Sequence, residues 1–145
     1  MAVDVVTEIE IDRARAEVAA YAADPDHATE WYANIKSVAW KTAPPLAVGS
    51  QLEFVAEFLG RRLAYTYEVR EHVPDERFVM STAEGPFPME TTYAWADSPS
   101  GGTVMTLRNA GSPAGFAKVS APVLALAMKR ANRKDLRRLK QVLEA

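Results

Sequence analysis

The chain has 145 residues, 48% of them hydrophobic and 25% charged, with a formal net charge of −2. That length suits one domain over residues 1–145, and the balance is that of a folded globular chain rather than a disordered one. The absence of cysteine excludes disulfides, thiol catalysis and thiolate metal sites. There is no apolar run of about eighteen residues, and MAVDVVTEIEID carries acids where a signal peptide would be basic and then apolar. A cytoplasmic location is expected.

Residues 3 to 11, VDVVTEIEI, alternate, with Val3, Val5, Thr7, Ile9 and Ile11 on one face, which predicts a strand with one side buried. Asp12 is placed to cap a following helix, RARAEVAAYAA, and Asp24 before Pro25 restarts a second short helix. That second helix turns Ala28, Trp31, Tyr32 and Ile35 to one side. From residue 36 the period returns to two. Strands are predicted over 36–42, 50–59, 62–72, 77–82, 89–96 and 103–110, separated by short Pro, Gly and Asp links that make neighbours antiparallel. After Pro113 the pattern is helical, with a short first piece and a main helix from about 122 to 144, because Pro122 does not sit comfortably deep inside a helix. Leu124, Met128, Ala131, Leu136, Leu139, Val142 and Leu143 mark its buried side.

The order is strand, two short helices, six antiparallel strands and one long helix, an α+β arrangement in which only the last helix is large enough to cover a seven-stranded sheet. With IDRARAEVAAYAADPDHATEWY after the first strand, Gly49 before a strand, GGTVMTL in the last strand and LRRLKQVLE in the final helix, the chain resembles the SRPBCC superfamily. That superfamily includes START domains, birch-pollen allergens and bacterial polyketide cyclases. The resemblance implies the helix-grip fold, a curved antiparallel sheet wrapped round the C-terminal helix. It also implies that the two short helices form a V-shaped support beneath the end of that helix, with Trp31 and Tyr32 closing that end of a cavity. The plant allergens' glycine-rich loop is APPLAVG here, with one glycine, so plant ligand chemistry is not carried over.

The more apolar phase of each strand places Thr7, Phe54, Phe58, Tyr65, Tyr67, Phe78 and Met80 on the concave face. Met89, Thr91, Tyr93, Trp95, Met105 and Leu107 join them, although the phase of the last two strands is ambiguous. Large rings beside flexible methionines line adaptable apolar pockets, though each residue taken singly is more often solid core. With Phe116, Leu124, Met128 and Asn132 from the C-terminal segment, these are the candidate ligand-binding residues; no catalytic residue is assigned. No ionisable side chain is expected in the middle of that interior, so it offers the hydroxyls of Tyr65, Tyr67, Tyr93 and Thr91 rather than a base. Glu30, Glu71 and Glu84 read as solvated surface carboxylates. His27 and His72 lack metal-ligand spacing, and no phosphate loop, nucleophile elbow or dinucleotide fingerprint is present. No cofactor is expected.

Seven Lys/Arg lie among residues 129–140, and their spacing leaves an apolar helical face intact, so they read as a solvated or internally paired face. Neither nucleic-acid binding nor stable membrane insertion is expected. Three functions compete: binding or carriage of a hydrophobic small molecule such as a lipid, isoprenoid or aromatic polyketide; a polyketide aromatase/cyclase-like enzyme; and an interaction module with a vestigial cavity. The missing interior base favours the first.

Overall fold

The structure, a computed structural model, describes residues 3–112 and 120–145. Strand β1 (Val3–Ile11) buries Val3, Val5, Thr7 and Ile11 while its intervening acids face out, as the alternation dictates. The chain then enters α1 (Arg15–Ala23). Asp12 is not its cap: Ala14 holds that position without a side-chain bond, and the Asp12 backbone N–H donates to Glu144 Oε2 at 2.9 Å. The end of the last helix has taken over the segment, a partner that no local pattern reveals.

Asp24 does cap. Its Oδ1 accepts the Asp26 N–H at 2.9 Å, opening a 3-10 turn (Pro25–His27) that runs into α2 (Ala28–Trp31). Pro25 takes the first position, where its missing N–H costs nothing. Trp31 is fully buried, its ring 4.0 Å from Tyr32 and 5.7 Å, edge-on, from Tyr93. These elements form the brace expected between the first and second strands.

Six strands follow: β2 (Ile35–Trp40), β3 (Gln51–Phe58), β4 (Arg61–Val73), β5 (Arg77–Glu84), β6 (Met89–Asp97) and β7 (Thr103–Gly111). With β1 they make one seven-stranded antiparallel sheet in the order β1-β7-β6-β5-β4-β3-β2. Every neighbour is a chain neighbour except β1, which pairs with β7 in unbroken register from Val3↔Gly111 to Ile11↔Thr103. Gly102 leads into that pairing, and a Cβ there would strike the Ile11 carbonyl oxygen. Register shifts in β2 and β4 mark bulges, which bend strands and help curl the sheet. The ambiguous phase of β6 and β7 resolves with Thr91, Tyr93, Trp95, Met105 and Leu107 buried.

Helix α3 (Ala121–Glu144) begins at Ser120, whose Oγ accepts the Val123 N–H at 3.4 Å. Pro122 sits within its first turn, and the expected shorter helical piece lies outside the described residues. Leu124, Leu136 and Leu139 are fully buried. Val142 is 38% exposed and does not belong to the buried stripe, because Leu143, four residues on from Leu139, keeps that face in the last turn. Part of the basic face is paired: Arg138 Nε donates to the Glu30 carbonyl at 2.6 Å, and Lys140 Nζ donates to the Glu10 carbonyl at 2.8 Å. These bonds fasten α3 to the brace and to β1. The whole is a helix-grip fold of the α+β class.

Candidate ligand cavity

Between the concave face and α3 lies a cavity of about 160 Å³. Strand β3 contributes Phe54, Ala56 and Phe58, and β4 contributes Leu63, Tyr65 and Tyr67. Met80 and Thr82 come from β5, Met89, Thr91 and Tyr93 from β6, and Asn109 from β7. Each set is spaced by two because alternate strand residues share a face. Pro86 and Phe87 come from the β5–β6 connection, Tyr32 and Asn34 from the link between α2 and β2, and Ile35 from the start of β2. The helix supplies Leu124, Met128, Ala131, Asn132 and Asp135.

Ten of the candidate residues therefore line the cavity: Phe54, Phe58, Tyr65, Tyr67, Met80, Met89, Tyr93, Leu124, Met128 and Asn132. Phe78, Trp95, Met105 and Leu107 do not. They have the expected inward phase, but Phe78, Met105 and Leu107 sit in solid core, Phe78 edge-on to His72 and Met105 paired across the sheet with Trp95, while Trp95 borders a second depression beside α1. Phase alone says which face a side chain takes, not how far along that face the space extends. Phe116 lies outside the described residues.

The polar lining falls into two groups. In the first, Tyr67 Oη lies 2.9 Å from Thr91 Oγ1, which donates to Asn109 Oδ1 at 2.6 Å, so the hydroxyls run as a directed relay across β4, β6 and β7. In the second, the Tyr32 and Tyr93 hydroxyls meet at 2.6 Å beside Asp135. Burial, first of all, pushes the Tyr67 hydroxyl up to about 12 and the hydroxyls of Tyr32, Tyr65 and Tyr93 well above the ordinary phenol value. All four are neutral donors at physiological pH.

Asp135 corrects the expectation of an interior without an ionisable group. Its side chain is 2% exposed and its Oδ1 accepts the Ala33 N–H at 3.0 Å. Burial raises its carboxyl to about 6, while the Ala33 N–H and neighbouring Lys134 pull the other way. The signal was available in the helix: Leu124, Met128, Asn132, Asp135 and Leu139 recur at four, four, three and four, so Asp135 falls on the apolar stripe. Among the described residues no cluster of three or more His, Cys, Asp or Glu is arranged to hold a metal.

A second depression, about 450 Å³, lies between α1 and the loops carrying Pro44, Leu46, Pro74 and Asp75. It is larger, but its Trp40 Nε1 already donates to Asp26 Oδ1 at 2.9 Å, and it lies outside the sheet–helix interface. The cavity under α3 combines apolar walls with convergent polar groups and is the better candidate.

This combination of helix-grip fold and apolar cavity is that of the START-like SRPBCC proteins. The chain belongs to the family described as polyketide cyclase / dehydrase and lipid transport, which it matches over residues 2–144. Among solved structures it is similar to a START superfamily protein from Mycobacterium smegmatis, with 14% identity over 97% of each chain and a TM-score of 0.82. The Zhui aromatase/cyclase from Streptomyces sp. R1128 aligns over 99% of this chain and 94% of its own, with 13% identity and a TM-score of 0.78. Ginseng major latex-like protein 151 from Panax ginseng aligns over 97% of this chain and 96% of its own, with 13% identity and a TM-score of 0.75. None of the curated protein sequences matches. Among the described residues no helix is long and apolar enough to cross a membrane.

Proposed function

We propose that the protein binds and carries a small, largely apolar molecule between its sheet and α3. The observation that supports this most directly is the cavity of about 160 Å³, walled by side chains from six strands and the helix. An interior packed to ordinary protein density leaves few voids larger than a water molecule, which weighs against a vestigial cavity. The volume is below the roughly 300–1,000 Å³ of sites for drug-sized ligands, so the ligand is compact or projects through the opening. The lipid-transport half of the family description agrees with this reading.

N-Phenylnaphthylamine, a neutral apolar fluorophore, should brighten on binding and be displaced by aliphatic competitors. Leu63→Trp or Met128→Trp fills the space and should weaken binding about tenfold or more, equivalent to ~1.4 kcal/mol. Binding that is unaffected by either folded variant would locate the ligand elsewhere.

Asp135 favours a second reading, a cyclase-like enzyme, because a carboxylate beside two phenol hydroxyls has the parts for proton transfer at a carbonyl-bearing chain. Conversion of a linear poly-β-ketone mimic, lost in Asp135→Asn while binding persists, would replace the carrier reading with this one.

A further inference from the structure

Asp135 is a feature that an apolar carrier does not need. None of the ion pairs among the described residues includes it. As an anchor for the Ala33 N–H, an asparagine would present the same acceptor with no ionisable group to desolvate. What a carboxylate adds at this position is strong attraction for a hydrogen-bond donor.

Its surroundings come from several elements. Tyr32 follows α2, Tyr93 stands on β6, and Tyr65 on β4 acts on Tyr32; Lys134, the preceding residue on α3, is exposed. In the Tyr32–Tyr93 pair one hydroxyl donates to the other, so one hydrogen is left for a further acceptor. Asn132, one turn back, is 6% exposed, and its Nδ2 has no partner among the described residues. Leu124 and Asp135 are eleven residues apart, roughly 16 Å along the axis at ~1.5 Å per residue. The cavity therefore has an apolar end under Leu124, Phe58, Leu63 and Phe87, and a polar end at Asp135.

We propose that the Asp135 end is a subsite for the hydrogen-bond-donating head, hydroxyl or ammonium, of an otherwise apolar ligand, and that it excludes a carboxylate head. The inference rests on the carrier reading and specifies its ligand. An ammonium or hydroxyl donates to the Asp135 carboxylate, and a hydroxyl also accepts from Asn132 or from the tyrosine pair. A carboxylate head would meet a like charge where little water screens it.

The test uses the full chain near pH 8, where Asp135 is ionised and the neighbouring tyrosines keep their protons. Affinities for n-octanol, n-octylamine and n-octanoate are measured by titration calorimetry, and the Ala33 amide resonance is followed by NMR. Octanol and octylamine should bind about tenfold or more tighter than octanoate, a difference of at least one decade in Kd, and should shift the Ala33 amide. Asp135→Asn, which keeps an acceptor for Ala33, should abolish the octylamine advantage. If that variant does not fold, the ranking in the unaltered protein decides. Octanoate binding as tightly as the other two, or octylamine binding without moving the Ala33 resonance, overturns the polar-end assignment and leaves the carrier reading standing. Failure of all three probes and of N-phenylnaphthylamine overturns both.

Discussion

Asp135→Asn should stabilise the protein in a way that depends on pH. In the unfolded chain the carboxyl ionises at its ordinary 3.8; in the folded protein burial raises it to about 6. Between these values the folded state holds the proton that the unfolded state has released, so stability falls as pH rises. Below about 3.8 both states are protonated and the group contributes nothing; above about 6 the full cost of a buried charge is present. At ~1.4 kcal/mol per pH unit across that window the cost comes to about 3 kcal/mol. Asparagine has no such cost and retains an acceptor for the Ala33 N–H. Urea unfolding of both proteins from pH 4 to pH 8 isolates the effect, because Asp4, Glu30 and Glu144, which titrate in the opposite sense, are common to both. The difference should be small near pH 4, grow toward pH 6 and level off above it. A constant difference, or an asparagine variant less stable at pH 8, would refute the burial of an ionised Asp135.

Trp31→Ala removes a fully buried indole from the brace and should cost about 3–5 kcal/mol, read as a large fall in melting temperature. Arg133→Gln with Arg137→Gln should change stability by less than about 0.5 kcal/mol, and the unaltered protein should not sediment with anionic vesicles at physiological salt. Arg138→Gln should cost more, roughly 1.5–3 kcal/mol at most, because its guanidinium holds the Glu30 carbonyl; equal stability of the two variants in thermal melts would contradict that clamp. Gly102→Ala should destabilise, since its Cβ would meet the Ile11 carbonyl where β1 joins β7.

The architecture was legible because its signals are local and repeated. Alternation in VDVVTEIEI, turn residues between short runs and a long amphipathic stretch at the end define strands, links and helix without knowledge of any contact. The short brace announced itself through Asp24 and Pro25, whose capping chemistry involves the next two residues only. Even the inward face of most strands followed from which phase is more apolar.

What tertiary structure decided is where that inward face stays empty and which distant groups meet. Tyr65 and Phe78 have the same periodic credentials, yet one lines the cavity and the other fills core, because the outcome depends on how α3 lies across a sheet bent by bulges. Asp12 looked like a helix cap until Glu144, more than a hundred residues away, claimed its N–H. The spacing of α3 puts Asp135 on the apolar stripe but does not say what faces it. Only the packing of α3 against the turn after α2 buries its carboxyl at the cavity wall, and burial, which is a property of neighbours rather than of residue type, is what changes its chemistry.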